Sequence, residues 1–248
     1  MKLIAKKTAS LFSILFVVIL FASCKKENAQ PVPVQITEPG IDDTVSVSSS
    51  TDIDGLTKLI LRPCDHDGQD TYVCFLNGNP DWANSTGDWA QELSMCSWTN
   101  GGQLMGVRGY IRFDSLKKIP AGSTVVNAKL FLYDKVGSIS APQGNSGDNA
   151  CKIEKVTGGT WNEATLNWNT QPEVTSKDAA IIPASTSTWN YNAEVDMTKL
   201  ISSIINEPTK NYGFRISLVN ESIYRSLIFA SSENKNPKLR PKLIVVYK

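Results

Sequence analysis

The feature that most constrains this chain is alternation. In Asn127–Asp134, NAKLFLYD, the side chains of Ala128, Leu130 and Leu132 fall on one side of an extended backbone, and those of Asn127, Lys129, Phe131 and Tyr133 on the other. A period of two is what a strand needs when one face meets a core, because successive side chains point to opposite faces. The same period runs through 57–61, 71–76, 107–113, 189–195, 214–219, 227–230 and 243–247, each bounded by Gly, Pro, Asn or Ser clusters. Short strands in this number, separated by turn residues, predict an all-β sandwich or barrel. One helix interrupts them. Asp196 can cap a segment whose Leu200, Ile201, Ile204 and Ile205 recur at helical spacing, and Pro208 stops it. Ile119-Pro120-Ala121-Gly122 and Asn234-Lys235-Asn236-Pro237 read as turns between strands.

The alternation does not reach the N-terminus. Lys2, Lys6 and Lys7 precede an uncharged apolar run, Leu11–Ala22, which ends in small residues before Cys24. That is the pattern of a secretory leader, and the run is short for a membrane span of about 20 residues. Phe21-Ala22-Ser23-Cys24 resembles the lipobox of bacterial lipoproteins, which implies cleavage after Ser23 and lipidation of Cys24. Lys25-Lys26-Glu27 resembles the short charged signals that direct some Gram-negative lipoproteins to the outer surface. The expected location is therefore the outer membrane, exposed at the cell surface, with the lipid as the only membrane contact. From 24 to 51 the chain passes Pro31, Pro33, Pro39 and Gly40 into DDTVSVSSS with little to bury, the composition of a flexible tether. Residues 52–248 are left as one domain of sandwich size. Losing the three leader lysines leaves acids and bases nearly balanced, and no basic stretch follows Lys26, which disfavours a nucleic-acid partner.

Cys64, Cys74, Cys96 and Cys151 remain in the domain. Export to an oxidising compartment permits two bridges in three connectivities, with Cys64 and Cys74 the first expected pair. No CxxC pair occurs and His66 is the only histidine, so a structural zinc site is not expected. Asp65, Asp67 and Asp70 alternate around Gly68 like the start of a calcium loop, but the later ligands of an EF-hand are absent. A structural calcium ion on these three carboxylates is the one cofactor the sequence suggests.

Several stretches, taken together, resemble the DNRLRE-type domain, which overlaps the family 96 carbohydrate-binding modules. They are DGQDTYV (67–73), GYIRFDSLKKIPAGSTVVNAKLFLY (109–133), TWNEATLNWNTQP (160–172), VDMTKLI (195–201), NYGFRI (211–216) and FASSENKNPKLRPKLIVVY (229–247). They stand in the family's order across essentially the whole domain. The resemblance implies a jelly-roll-like antiparallel β-sandwich with one short helix, exported and associated with cell surfaces or polysaccharide-active proteins. Fold analogy does not supply the ligand.

Six tryptophans carry the question of function. Trp161 and Trp168 sit in a segment poor in aliphatic residues, which needs large side chains to hold it down, and they are expected to be packing anchors. Asn77–Gly102 reads instead as a long polar loop bearing Trp82, Trp89 and Trp98, and loops of such length tend to be functional. Indole faces suit the CH groups of a sugar ring while neighbouring Asn, Asp and Gln bond its hydroxyls. Arg108 and Tyr110, on an outward-facing side of an expected strand, complete the ligand-binding set. Catalysis has weaker support. His66 lies far from any G-x-S-x-G elbow, which the sequence lacks, and pairs such as Glu92 with Asp88 are ordinary surface acids until shown to converge. The expected function is non-catalytic binding of extracellular polysaccharide. The alternatives are a structural or adhesive envelope protein with a protein partner and, third, a polysaccharide-degrading enzyme.

Overall fold

A computed structural model describes residues 47–51, 55–64, 67–135 and 143–248; the expected leader, Cys24 and Asp65 lie outside them. In chain order the strands are β1 (Val47–Thr51), β2 (Thr57–Leu61), β3 (Gly68–Leu76), β4 (Glu92–Asn100), β5 (Gln103–Phe113) and β6 (Val125–Leu132). They continue as β7 (Cys151–Val156), β8 (Val174–Ile182), β9 (Ala193–Asp196), β10 (Phe214–Leu218), β11 (Arg225–Ala230) and β12 (Lys242–Tyr247). Two α-helices, α1 (Pro80–Asn84) and α2 (Thr198–Ile205), accompany them among the described residues. One sheet has the order β1-β2-β12-β6-β9, and every pairing in it is antiparallel. The other runs β11-β4-β5-β10-β7-β8 with β3 added to β5, again antiparallel throughout. The two form the expected β-sandwich.

Alternation decides what the sandwich buries. Ala128, Leu130 and Leu132 of β6 are fully buried, beside Leu243 and Val245 of β12 and Leu59 and Leu61 of β2. The second sheet meets them with Leu93 and Met95 of β4, Ile111 and Phe113 of β5, Phe214 and Ile216 of β10, and Leu227 and Phe229 of β11. Each such side chain contributes roughly 1.5–3 kcal/mol when removed from water. Helix α2 adds Leu200, Ile201, Ile204 and Ile205 to the same core. Asp196 stands one residue before its N-cap, and its Oδ1 accepts from the Thr198 amide at 2.8 Å.

The second sheet forks at β5. Strand β3 pairs along one edge of β5 from Met105 to Phe113. On the other edge β5 pairs first with β4, over Gln103–Val107, and then with β10, over Gly109–Ile111. One strand thus carries two diverging leaves, β4 with β11 and β10 with β7 and β8.

Several sequence expectations need correction. Val47–Thr51, placed in the tether, is an edge strand paired with β2 in register Val47 to Leu61. Its Ser and Thr residues carry no apolar pattern, and it is a short edge strand of five residues, one of the ways sheets limit further pairing. Asn77–Gly102 is not a loop: it holds α1 and the nine-residue β4, which turns into β5 through Gly101 (φ 57°) and Gly102 (φ 81°). Two consecutive left-handed residues are the requirement of a tight hairpin, and Asn100-Gly101-Gly102 was the signal for it. Trp189–Asn192 lies outside β9. Strands β7 and β8 were not anticipated: in β7 the adjacent Ile153 and Glu154 are both buried, and in β8 Asp178 (φ 61°) and a register shift opposite Ile153–Lys155 break the alternation. The expected Cys64–Cys74 bridge is not formed, and all four cysteines of the described residues are free. Cys74 lies six residues into β3, about 20 Å of strand beyond the turn that follows Cys64, whereas a bridge needs Cα atoms within roughly 7 Å.

Candidate functional site

On the side of β3 and β5 turned away from the main core, Val73 and Tyr110 form a second apolar cluster with Val156, Trp161 and Leu166. The 157–173 segment lies over it. Trp161 is buried, its ring edge-on to Tyr110 at 5.6 Å, and its Nε1 donates to the Tyr212 carbonyl at 2.7 Å. The Arg112 guanidinium covers the ring at 5.3 Å and donates to the Trp161 carbonyl at 2.8 Å. Trp168 is half-buried, tilted against Phe75 at 4.5 Å with Arg108 over it at 4.6 Å. Both rings hold their segment to the sheet.

This packing limits what Tyr110 and Arg108, both expected to touch ligand, can do. Tyr110 shares a face with Arg108, as its strand position requires, yet it is fully covered. Its hydroxyl donates to Gln171 Oε1 at 3.3 Å and burial pushes its pKa up to about 12, so it supports the surface from beneath. Arg108 remains partly open. It donates through Nε and Nη2 to the Glu221 carboxylate at 2.8 and 2.9 Å, a two-point pair, and through Nη1 to Gln171 Oε1 at 3.3 Å. Next to it, Glu154 is buried and accepts from Lys152, Ser176 and Arg215.

The tryptophans of the 77–102 segment divide. Trp82, on α1, lines a half-open cleft of about 200 Å3 together with Tyr72, Met105, Val107 and Ile228. Glu92, Ser94 and Gln143 supply polar groups to the same cleft. Trp98 packs beside it, against the Cys74, Cys96 and Val107 cluster that forms the floor. Trp89 is 67% exposed and lies outside the lining. Cys74 and Cys96 both stand opposite Val107, one on each neighbouring strand, so two strand spacings, about 10 Å, separate them and no bridge can form. Burial pushes both thiols up, Cys96 to about 12, which keeps them protonated and unreactive. Glu92 is buried and meets the Lys135 ammonium at 3.7 Å. Tyr72 and Gln143 were missed from the sequence. Tyr72 is signalled only by its strand position facing β5, and Gln143 has no sequence signal.

Of the three acidic residues expected to bind calcium, Asp67 and Asp70 are described, and each is bonded to a different serine. Asp67 accepts from the Ser115 hydroxyl at 2.5 Å. Asp70 is fully buried on β3, and its carboxylate accepts from the Ser232 amide and hydroxyl at 3.0–3.1 Å. Burial, and then the neighbouring Glu233, raise the Asp70 pKa well above the usual carboxylate range. Among the described residues no group of three or more His, Cys, Asp or Glu is placed to hold a metal ion.

Compared with known families, residues 68–247 match carbohydrate-binding module family 96. The chain belongs to that family. No curated protein matches it significantly. The family 96 match opens on the first residue of β3 and closes on the last of β12, so it spans the cleft, Arg108 and the anchored 157–173 segment. Strands β1 and β2 precede it. The family is a class of carbohydrate-binding modules, and the cleft offers rings and hydrogen-bonding groups, with Glu92 paired to a lysine.

Proposed function

We propose that this chain is a lipid-anchored module of the outer cell surface that holds extracellular polysaccharide without cleaving it, in the cleft between α1, β3, β4 and β5. The observation that carries the reading is the convergence of Tyr72 and Trp82, from separate elements, on one cavity with Glu92, Ser94 and Gln143 in its wall. Aromatic faces accept the CH side of a sugar while polar neighbours take its hydroxyls. A cavity of about 200 Å3 is smaller than the roughly 300–1,000 Å3 that encloses a drug-sized ligand, which suits a single ring of a longer chain. Family membership supports carbohydrate as the ligand class. The leader pattern ending at Cys24 supports the anchor and the location.

Two measurements test the halves of this reading. The full chain in detergent should be retained by at least one polysaccharide on an affinity gel, and Trp82→Ala should weaken retention about tenfold or more, the loss typical of a buried aromatic contact. Undiminished retention would remove the cleft from the function. Cys24→Ala should move the protein from the membrane to the soluble fraction of a Gram-negative host; continued membrane association would remove the lipid.

A further inference from the structure

The cleft has a continuation. Strand alternation puts Glu92, Ser94, Cys96 and Trp98 on one face of β4; the first three line the cleft and Trp98 carries the row two residues further along the strand. There the indole meets the Tyr224 ring edge-on, with centroids 5.1 Å apart and planes at 83°. Met105, opposite Trp98 in register, completes an apolar corner. Tyr224 is 52% exposed, so about half of the residue is open to solvent.

The backbone shows that this placement is imposed. Tyr224 has φ 66°, a left-handed conformation that a bulky residue rarely adopts. It is held there from both sides. The Ser97 hydroxyl donates to the Glu221 carbonyl at 2.8 Å, and Asn220 Oδ1 accepts from the Ser222 amide and hydroxyl. Beneath, Gly147 approaches so closely that a Cβ there would sit 2.6 Å from the Tyr224 carbonyl oxygen. Backbone strain that the surroundings maintain around an exposed ring is a mark of a binding position.

We infer that the binding site is a groove along β4 that takes an extended glycan chain, with one sugar in the Trp82 cleft and another ring of the same chain on the Trp98–Tyr224 corner. The inference rests on the carbohydrate reading above and deepens it: the ligand is a run of several sugar units, not a single ring. The six steps of strand from Glu92 to Trp98 span about 20 Å, longer than any single sugar ring.

Isothermal titration of the full chain in detergent tests this, using neutral gluco-, manno- and galacto-oligosaccharides and uronic-acid oligosaccharides of two and six units. The six-unit ligand of the bound series should bind at least tenfold more tightly than its two-unit form. Tyr224→Gly relieves the backbone strain, so it should fold at least as stably, yet it should erase that length advantage; Tyr224→Phe should keep it. Equal binding of the two lengths, or an undiminished length advantage in Tyr224→Gly, would overturn the groove and leave the cleft standing. Failure of every oligosaccharide to bind the unaltered chain would overturn the carbohydrate reading and the groove with it.

Discussion

Trp161→Ala should lower the unfolding free energy by about 3–5 kcal/mol, the range for removing a large buried ring. The ring is 7% exposed, stands edge-on to Tyr110 and lies under Arg112, and its loss leaves the Tyr212 carbonyl without its 2.7 Å donor. In a domain of this size each kcal/mol moves Tm by roughly 2–4 °C, so the melting point should fall by about 6–20 °C. Urea unfolding should show the midpoint falling with little change of slope. Trp89→Ala, at an exposed position, is the control and should stay within about 0.5 kcal/mol. If Trp161→Ala keeps its stability and loses only glycan retention, the ring contacts ligand and the packing account of the 157–173 segment fails.

The second large effect is electrostatic. Burial acts to raise the pKa of Glu154, but hydrogen bonds from Ser176, Arg215 and Lys152 outweigh it and hold the value down at about 2. A carboxyl depressed in the fold contributes stability above its unfolded value, near 4.5, and that contribution is lost as pH falls from there toward 2. The amount is on the order of 2–3 kcal/mol. Glu221, lowered chiefly by its bond from Arg108, adds in the same direction. Asp70 has the opposite sign: its carboxyl is raised by burial, so its contribution is present in acid and lost as pH rises through the raised value. Glu154→Gln should therefore cost about 3 kcal/mol at neutral pH, since it leaves two cations around a buried amide, and should flatten the decline of stability below pH 4.5. Denaturant titrations at a series of pH values read both quantities. A variant that still loses stability in acid as steeply as the unaltered chain would show that the carboxyl is not held by this network.

The regions of the fold written plainly in the sequence are those with one buried and one open face. Ala128, Leu130 and Leu132 could be assigned to a core from their spacing alone, as could the apolar stripe of α2. Strand β4 could not, because both of its faces are used: Leu93 and Met95 enter the core while Glu92, Ser94 and Cys96 line a cleft, so its polar residues resemble those of a loop. Asp178 hid β8 by interrupting its period at a bulge. The candidate site was half legible. Indoles at 82 and 98 were suspicious in their polar setting, but their neighbourhood with Tyr72 and Gln143 depends on strand register and a distant return of the chain. Arg108 and Tyr110 share a face as their spacing requires, but the outward position expected of Tyr110 fails because residues some 50–60 positions away cover it. The cysteine pairing failed for a geometric reason: ten residues that look like a loop include most of a straight strand.

The family match starts at Gly68, but the sheet does not. Leu59 and Leu61 fill the interior, and β2 occupies the hydrogen-bonding edge of β12 from Leu243 to Tyr247. A recombinant fragment trimmed to the matching residues would strip that edge bare and present a row of unpaired amides and carbonyls beside valine and leucine side chains, an invitation to stack with its own copies. Expression boundaries for this module belong upstream of Val47, where the serine- and threonine-faced border strand is retained as a shield.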